Sequence, residues 1–208
     1  QTLTQHRVAV LRSVAISALG SITYYVGITD VPAFLTSAGG RAEGESLWLS
    51  TVAAVAVIVV TPAAGALSDH LGRRRMLIGL AILGAALPLF MFTYMAHGTT
   101  AQVVLGAVAL ALVAGGVSAV GAPATAEQFP GEGRLSGLAL GATAATALFG
   151  GLTPFLAEWL VQATGWTAAP GAMIALVALA VLPVLRGLPE TVPRAARERA
   201  TPPTRSSR

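Results

Sequence analysis

The chain has 208 residues, of which 54% are hydrophobic and 11% charged, and its mean hydropathy is +0.72. Soluble domains carry about 25% charged residues, so this composition excludes an ordinary soluble domain and indicates that most of the surface contacts lipid. The 13 basic residues outnumber the 9 acidic ones, but the arginines are confined to loops and chain ends, which indicates membrane topology and not nucleic-acid binding.

Six apolar segments follow in chain order, each long enough to cross a bilayer at about 1.5 Å per residue. Residues 1–10 are polar and basic, and we predict them to be a cytoplasmic segment. The predicted spans are residues 11 (or 8) to 35, 47–67, 76–95, 101–126, 135–163 and 168–188. Residues 189–208 form an arginine-rich tail that we predict to be disordered. The predicted fold is therefore an all-α membrane bundle of six helices within residues 11–188.

The loop between the second and third spans predicts the orientation. It holds Arg73, Arg74 and Arg75 in a row, and short loops rich in arginine remain on the cytoplasmic side. With both termini inside, Arg41 alone of the 13 basic residues lies outside. We therefore expect a multi-pass protein of the inner (plasma) membrane.

Two acidic residues fall inside predicted spans, where an ionisable group is costly and usually functional. A carboxyl group away from water binds a proton more readily than one in water, so Asp30 and Glu158 are candidates for proton coupling. The alternative is that each lies at the wet outer end of its span. Candidates for hydrogen bonds to a small polar solute, or for packing alone, are Tyr24, Tyr25, Thr143 and Thr146.

A cluster of helix-weakening residues lies in the fifth span. Gly150, Gly151 and Pro154 fall within about one turn, and such breaks recur where a transporter helix bends or lines a cavity. We predict a helix hinge there, with close helix packing as the alternative.

The sequence contains no pattern of an enzyme. Cysteine is absent, nucleophile, zinc and phosphate-loop motifs are missing, and His70 and His97 are placed for neither metal binding nor proton relay. We expect no enzymatic activity, no metal and no cofactor, with a proton as the coupling ion.

The run from Gly65 to Arg75, GALSDHLGRRR, resembles the cytoplasmic loop G-x-x-x-D-x-x-G-R-[RK]-x of the major facilitator superfamily. Pro189-Glu190-Thr191 resembles the signature that follows the twelfth span of that superfamily. The stretches 127–160 and 23–35 resemble its metabolite:proton symporter branch, which carries proline, betaine, oxoglutarate, citrate and shikimate.

The resemblance implies the carboxy-terminal half, spans seven to twelve, of a secondary transporter with alternating access. The fourth span lacks the membrane arginine usual in the amino-terminal half, and the chain ends soon after its P-E-T signature. The implied partner is an amino-terminal six-helix half. The resemblance also implies a gating loop, in which Asp69 pairs with Arg73, four residues later, and latches the cytoplasmic ends. Its residues are Gly65, Asp69, Gly72, Arg73 and Arg74.

The leading hypothesis is import of an organic acid, betaine or amino acid by proton symport. An exporter of the same superfamily driven by proton antiport is one alternative, and an inactive truncated fragment is another.

Overall fold

The computed structural model describes residues 7–129 and 134–190, without the side chains of residues 134–138 and 140. The predicted tail beyond Glu190 and the first six residues lie outside the described part. Its helices, in chain order, are α1 (Arg7–Tyr24), a first π segment (Tyr25–Thr29), α2 (Val31–Ser37), α3 (Glu43–Leu71), α4 (Arg73–His97), α5 (Thr100–Ala126), α6 (Arg134–Ala145), a second π segment (Thr146–Leu152), α7 (Thr153–Thr164) and α8 (Ala169–Arg186).

The prediction of a six-helix membrane bundle is confirmed, since six helical stretches are long and apolar enough to cross a bilayer. The boundaries differ in two places. Helix α3 has 29 residues, because its first turn and its last turn extend into the loops predicted on either side. The first span does not run unbroken to Leu35, because the helix is interrupted at Asp30.

Local sequence accounts for the ends of these helices. Helix α5 begins with a capping box. The backbone N–H of Thr99 donates to the side chain of Gln102 at 2.7 Å. In return, the Thr99 side chain accepts a hydrogen bond from the backbone N–H of Gln102. Helix α3 ends and α4 begins at Gly72. The φ of Gly72 is 95°, so the helix cannot continue through this residue. We call the end of the bundle with Gly72 the basic end, and the opposite end, with Trp48 and Trp166, the tryptophan end.

The core is divided between the two ends of the bundle. The buried cluster towards the basic end joins α1, α4, α5 and α8 through residues such as Leu19, Leu80, Val117 and Leu185. The cluster towards the tryptophan end adds α2, α3 and α7, and it contains an edge-to-face pair of Phe34 and Phe92 with ring centroids 4.9 Å apart. Since lipid is as apolar as these side chains, close packing rather than water exclusion stabilises such contacts.

The six spans differ greatly in how much of their surface the bundle covers. In the most apolar stretch of each span, 61% of the residues are buried in the fourth span (α5). The share is only 28% in the fifth span (α6–α7) and 17% in the second span (α3). Helices α3 and α6–α7 therefore present the largest faces to whatever surrounds this bundle.

Candidate functional site

Two π segments interrupt the first and fifth spans, and a proline follows each within three residues, Pro32 and Pro154. Proline has no N–H to donate and its ring clashes with the carbonyl four residues earlier, so the preceding turn widens. In the first segment the Asp30 N–H accordingly donates to the carbonyl of Tyr25, five residues back, at 2.8 Å. Such turns often mark functional sites.

The second π segment contains two of the three residues predicted to form a hinge, Gly150 and Gly151, and ends just before the third, Pro154. Their role as a hinge stays a prediction. The first π segment was not predicted, although Pro32, in an otherwise continuous apolar run, is the signal that would have indicated it.

The first and fifth spans run parallel and touch along their length. Four close approaches join them, from the basic end to the tryptophan end: Ser13 to Gly141, Ser21 to Thr146, Tyr25 to Gly150 and Ser37 to Glu158. The contacts follow one another in the same order along both spans, as parallel helices require. The site is built on this pair of spans.

A cavity of about 290 Å³ opens between α1, α5 and the fifth span. Five of its described lining residues carry a hydroxyl group and the others are apolar or glycine; the five are Ser17, Ser21, Ser118, Thr125 and Thr146. The hydroxyls of Ser21 and Thr146 lie 3.3 Å apart and share a hydrogen bond. No charged residue of the described chain lines this cavity, so it suits hydrogen bonding to a polar solute.

Of the two predicted threonines, Thr146 lines the cavity and Thr143 does not. Thr143 is exposed on α6, and its neighbour Ala142 takes the cavity-lining position instead. Sequence reasoning missed the three serines of the lining. The available signal was the four-residue spacing of Ser17 and Ser21, which places both hydroxyls on one face of an apolar helix.

The two predicted tyrosines have different surroundings. Tyr25 is half-buried, and its ring atom Cε2 lies 2.7 Å from where a Cβ of Gly150 would stand. Tyr24 is 41% exposed and lies one turn beyond Ser21 on α1, outside the residues that line the cavity. The two rings meet edge to face, with centroids 5.9 Å apart.

The two predicted acids, Asp30 and Glu158, lie beyond the π segments of two touching spans, Asp30 directly before α2 and Glu158 on α7. Glu158 accepts hydrogen bonds from Ser37 at 3.2 Å and from Gln162 at 2.8 Å. The buried Oδ2 atom of Asp30 has no hydrogen-bond partner among the described residues. Their role in proton coupling stays a prediction.

The predicted gating residues lie at the basic end and are not among the residues that line the cavity. Arg73 contacts Asp69 at 2.8 Å and Glu127 at 3.6 Å, and its guanidinium also donates to the Ser68 hydroxyl. The Asp69–Arg73 pair bridges the break at Gly72 and does not lie along one continuous helix, as the four-residue spacing had implied. Its latch function stays a prediction.

Gly72 is covered by the end of the chain. The carboxylate of Glu190 occupies the place where a Cβ of Gly72 would stand, and lies 3.8 Å from the guanidinium of Arg75. Gly65 lies inside α3 with open space beside it, and Arg74 is half-buried.

Comparison with known proteins identifies the family. The sequence model of the Major Facilitator Superfamily matches residues 12–207. The chain belongs to the Major Facilitator Superfamily. It is thus a multi-pass membrane protein of a transporter family and not an enzyme, and the resemblance seen in the Gly65–Arg75 run is confirmed.

Several transporters of this superfamily are similar to the chain. A citrate-proton symporter of Klebsiella pneumoniae is 29% identical over 86% of this chain and 40% of its own length. A proline/betaine transporter of Salmonella typhimurium is 27% identical over 89% of this chain and 36% of its own length. An alpha-ketoglutarate permease of Escherichia coli is 26% identical over 74% of this chain and 36% of its own. The chain therefore spans well under half the length of these relatives.

Proposed function

We propose that the chain is the carboxy-terminal half of a secondary active transporter that imports a small polar metabolite by proton symport. The observation that carries this proposal is the placement of Asp30 and Glu158 on two touching spans, just beyond a cavity lined by serines and threonines. Both acids follow an interrupted stretch of their span. A proton site and a solute site on the same two spans can be coupled, because a movement of one span alters both sites.

The missing partner in this proposal is the amino-terminal six-helix half. Helix α3 and the fifth span are the least covered spans, with 17% and 28% of their most apolar stretches buried, and the cavity beside the fifth span is open. A second half packed there closes the cavity near the bilayer midplane, the usual position of a transporter site.

The charge distribution supports an orientation with the basic end in the cytoplasm. Arg12, Arg73 and Arg186 lie at that end, whereas Arg41 lies at the tryptophan end. Both termini then lie on the cytoplasmic side of the inner membrane.

The proposal is tested on the full-length carrier that contains this chain, reconstituted in vesicles with an imposed proton gradient. We expect accumulation of a solute from a panel of amino acids, betaines and organic acids, and its loss on addition of a protonophore. Glu158→Gln and Asp30→Asn are expected to abolish accumulation but to retain solute exchange, which needs no net proton movement. Glu158→Gln keeps an oxygen for Ser37, so its fold is preserved.

Glu43→Gln is the matched control, because Glu43 is an exposed acid at the same end of the bundle. This variant is expected to leave accumulation unchanged. Accumulation that ignores the protonophore overturns proton symport. Efflux driven by an inward proton gradient overturns import in favour of the exporter.

A further inference from the structure

A groove of about 660 Å³ lies on the hairpin of α4 and α5, at the tryptophan end of the bundle. We propose that this groove binds one membrane phospholipid, with an acyl chain against Phe90 and Leu105 and the phosphate at Tyr94 and His97. Its place on the bundle, its depth in the membrane and its hydrogen-bond donors support this assignment. The site is separate from the solute cavity and depends on neither the solute nor the coupling ion.

The groove faces away from the hydroxyl-lined cavity. Both are lined by α5, the cavity by residues that include Thr125 and the groove by Gln102 and Leu105. At about 3.6 residues per turn, Leu105 and Thr125 point about 160° apart, so cavity and groove lie on opposite sides of α5. The amino-terminal half that closes the cavity in the proposed carrier therefore leaves the groove to the surrounding lipid.

The groove runs from the membrane surface into the hydrocarbon region. His97 ends α4 at the tryptophan end, and Phe90 lies about 10 Å deeper at about 1.5 Å per residue. The deep part is apolar, with Phe90 68% and Leu105 58% exposed. The shallow part is polar and contains Tyr94, His97 and Gln102. A phospholipid has the same order of chemistry, with a headgroup above its acyl chains, and tyrosine is enriched at this level of a membrane.

The capping box of α5 holds Tyr94 ready to bind an acceptor. Gln102 accepts from the Thr99 N–H and donates to the hydroxyl oxygen of Tyr94 at 2.8 Å. The Tyr94 hydroxyl keeps its own hydrogen to donate, and no acceptor for it lies among the described residues. His97 is exposed and lies three residues further on the same face of α4. A phosphate diester, whose oxygens are acceptors, matches these two donors.

The groove offers no fixed charge that would select a strongly anionic lipid. Its lining residues are all described and include neither arginine nor an acid. Arg41 donates to the carbonyl of Gly98 at the rim of the groove, but its charge is paired with that of Glu45. We therefore expect phosphatidylethanolamine and phosphatidylglycerol to bind about equally, and both to bind more tightly than a glycolipid without phosphate.

The first experiment identifies what occupies the groove. The full-length carrier with Phe90→p-benzoylphenylalanine is irradiated in the native membrane, and again after purification and thorough washing in detergent. Leu176→p-benzoylphenylalanine is the matched control, because Leu176 is 70% exposed and lies about 10 Å from the tryptophan end of α8, outside the groove. In the membrane, we expect both variants to gain the mass of one phospholipid. In detergent, we expect this gain at position 90 alone.

Loss of the phospholipid from position 90 in detergent overturns the proposal, because a lipid without a site exchanges for detergent. A product of twice the carrier mass also overturns it, since a second copy then covers the groove. So does a crosslink from position 90 to the amino-terminal half.

The second experiment tests the phosphate contact. Binding of the first lipid to purified carrier is titrated by native mass spectrometry with phosphatidylethanolamine, phosphatidylglycerol and digalactosyldiacylglycerol. Tyr94→Phe is expected to raise the Kd of both phospholipids about 3- to 10-fold and to leave that of the galactolipid unchanged. Tyr24→Phe is the control, because Tyr24 is similarly exposed, at 41% against 43% for Tyr94, but lies on α1 outside the groove.

An unchanged Kd in Tyr94→Phe overturns the phosphate contact, and so does equal binding of the galactolipid and the phospholipids to the wild type. A more than tenfold preference for phosphatidylglycerol over phosphatidylethanolamine also overturns it, because a cation then recognises the headgroup. None of these outcomes bears on proton symport, which the uptake experiments test separately.

Discussion

The ring of Tyr25 occupies the space that a side chain on Gly150 would need, with 2.7 Å between ring atom Cε2 and the position of a Cβ. Real Cβ atoms do not approach other atoms so closely, so Gly150→Ala forces either the ring or the two π segments apart. Because this contact lies between the hydroxyl-lined cavity and the acid pair, we expect a several-fold lower initial rate of uptake in the full-length carrier, at normal membrane levels.

Gly151→Ala is the matched control, since Gly151 lies in the same π segment with nothing within 4 Å of its Cβ position. It is expected to retain the wild-type rate. Adding Tyr25→Val to Gly150→Ala gives position 25 a smaller side chain, and we expect it to restore the packing of the two spans. The double variant should then have a higher thermal unfolding temperature than Gly150→Ala alone. Equal rates for the two alanine variants would contradict the importance of the contact.

A second prediction concerns Gly72, whose φ of 95° lies where residues with a Cβ are strained. Gly72→Ala also places a Cβ against the carboxylate of Glu190. We expect it to lower the free energy of unfolding by about 1–3 kcal/mol, seen as a lower thermal unfolding temperature of the purified carrier in detergent.

Gly79→Ala serves as its control, because Gly79 lies inside α4 with nothing near its Cβ position and alanine there favours the helix by about 0.5–1 kcal/mol. Adding Glu190→Ala relieves the contact but not the backbone strain, so we expect only partial recovery in the double variant. Full recovery would show that φ at Gly72 is not the cause.

The sequence predicts those features of the fold that depend on local pattern. Apolar length predicts all six spans, and the glycines before Pro154 indicate a weak point that coincides with a π segment. The break before Pro32 was missed because a single proline near a helix end is also compatible with an unbroken span.

The candidate site depends more on contacts between distant residues, which no local pattern encodes. Asp30 and Glu158 were each selected for being acids in apolar surroundings, but their placement on touching spans follows only from the parallel packing of the first and fifth spans. The contact between Glu190 and Gly72 likewise joins residues that are far apart in the sequence, so no local pattern predicts it. Ser17, Ser21 and Ser118 were missed because an isolated serine in an apolar helix commonly bonds to its own backbone.

A third prediction concerns Arg41, the one arginine predicted to lie outside. Its side chain is only 13% exposed and donates to the carbonyl of Gly98 at 2.7 Å, to Thr100 at 3.1 Å and to Glu45. It thereby fastens the segment before α3 to the turn before α5. Hydrogen bonds to charged groups contribute about 1.5–3 kcal/mol, so Arg41→Ala is expected to destabilise the carrier by about 1–3 kcal/mol in detergent unfolding.

Arg75→Ala is the comparison for Arg41, because the Arg75 side chain is 77% exposed and lies 3.8 Å from Glu190. Exposed ion pairs of this kind contribute little, so we expect its unfolding temperature to match that of the wild type. If Arg41→Ala unfolds at the same temperature as Arg75→Ala, the fastening role is wrong.

The fourth prediction concerns the Asp69–Arg73 pair. Asp69 is half-exposed, whereas the Arg73 side chain is 14% exposed and also lies near Glu127 at the end of α5. Asp69→Asn keeps an oxygen for Arg73 but removes the charge, so the fold is retained and the attraction across the α3–α4 break is weakened. If this pair latches the basic end in one state of the transport cycle, Asp69→Asn reduces uptake several-fold while membrane levels stay normal. Arg75→Gln changes a charge in the same run of arginines, at a side chain that is 77% exposed and lies 3.8 Å from Glu190, and it controls for a general loss of positive charge. Unchanged uptake in Asp69→Asn at normal membrane levels would rule out the latch.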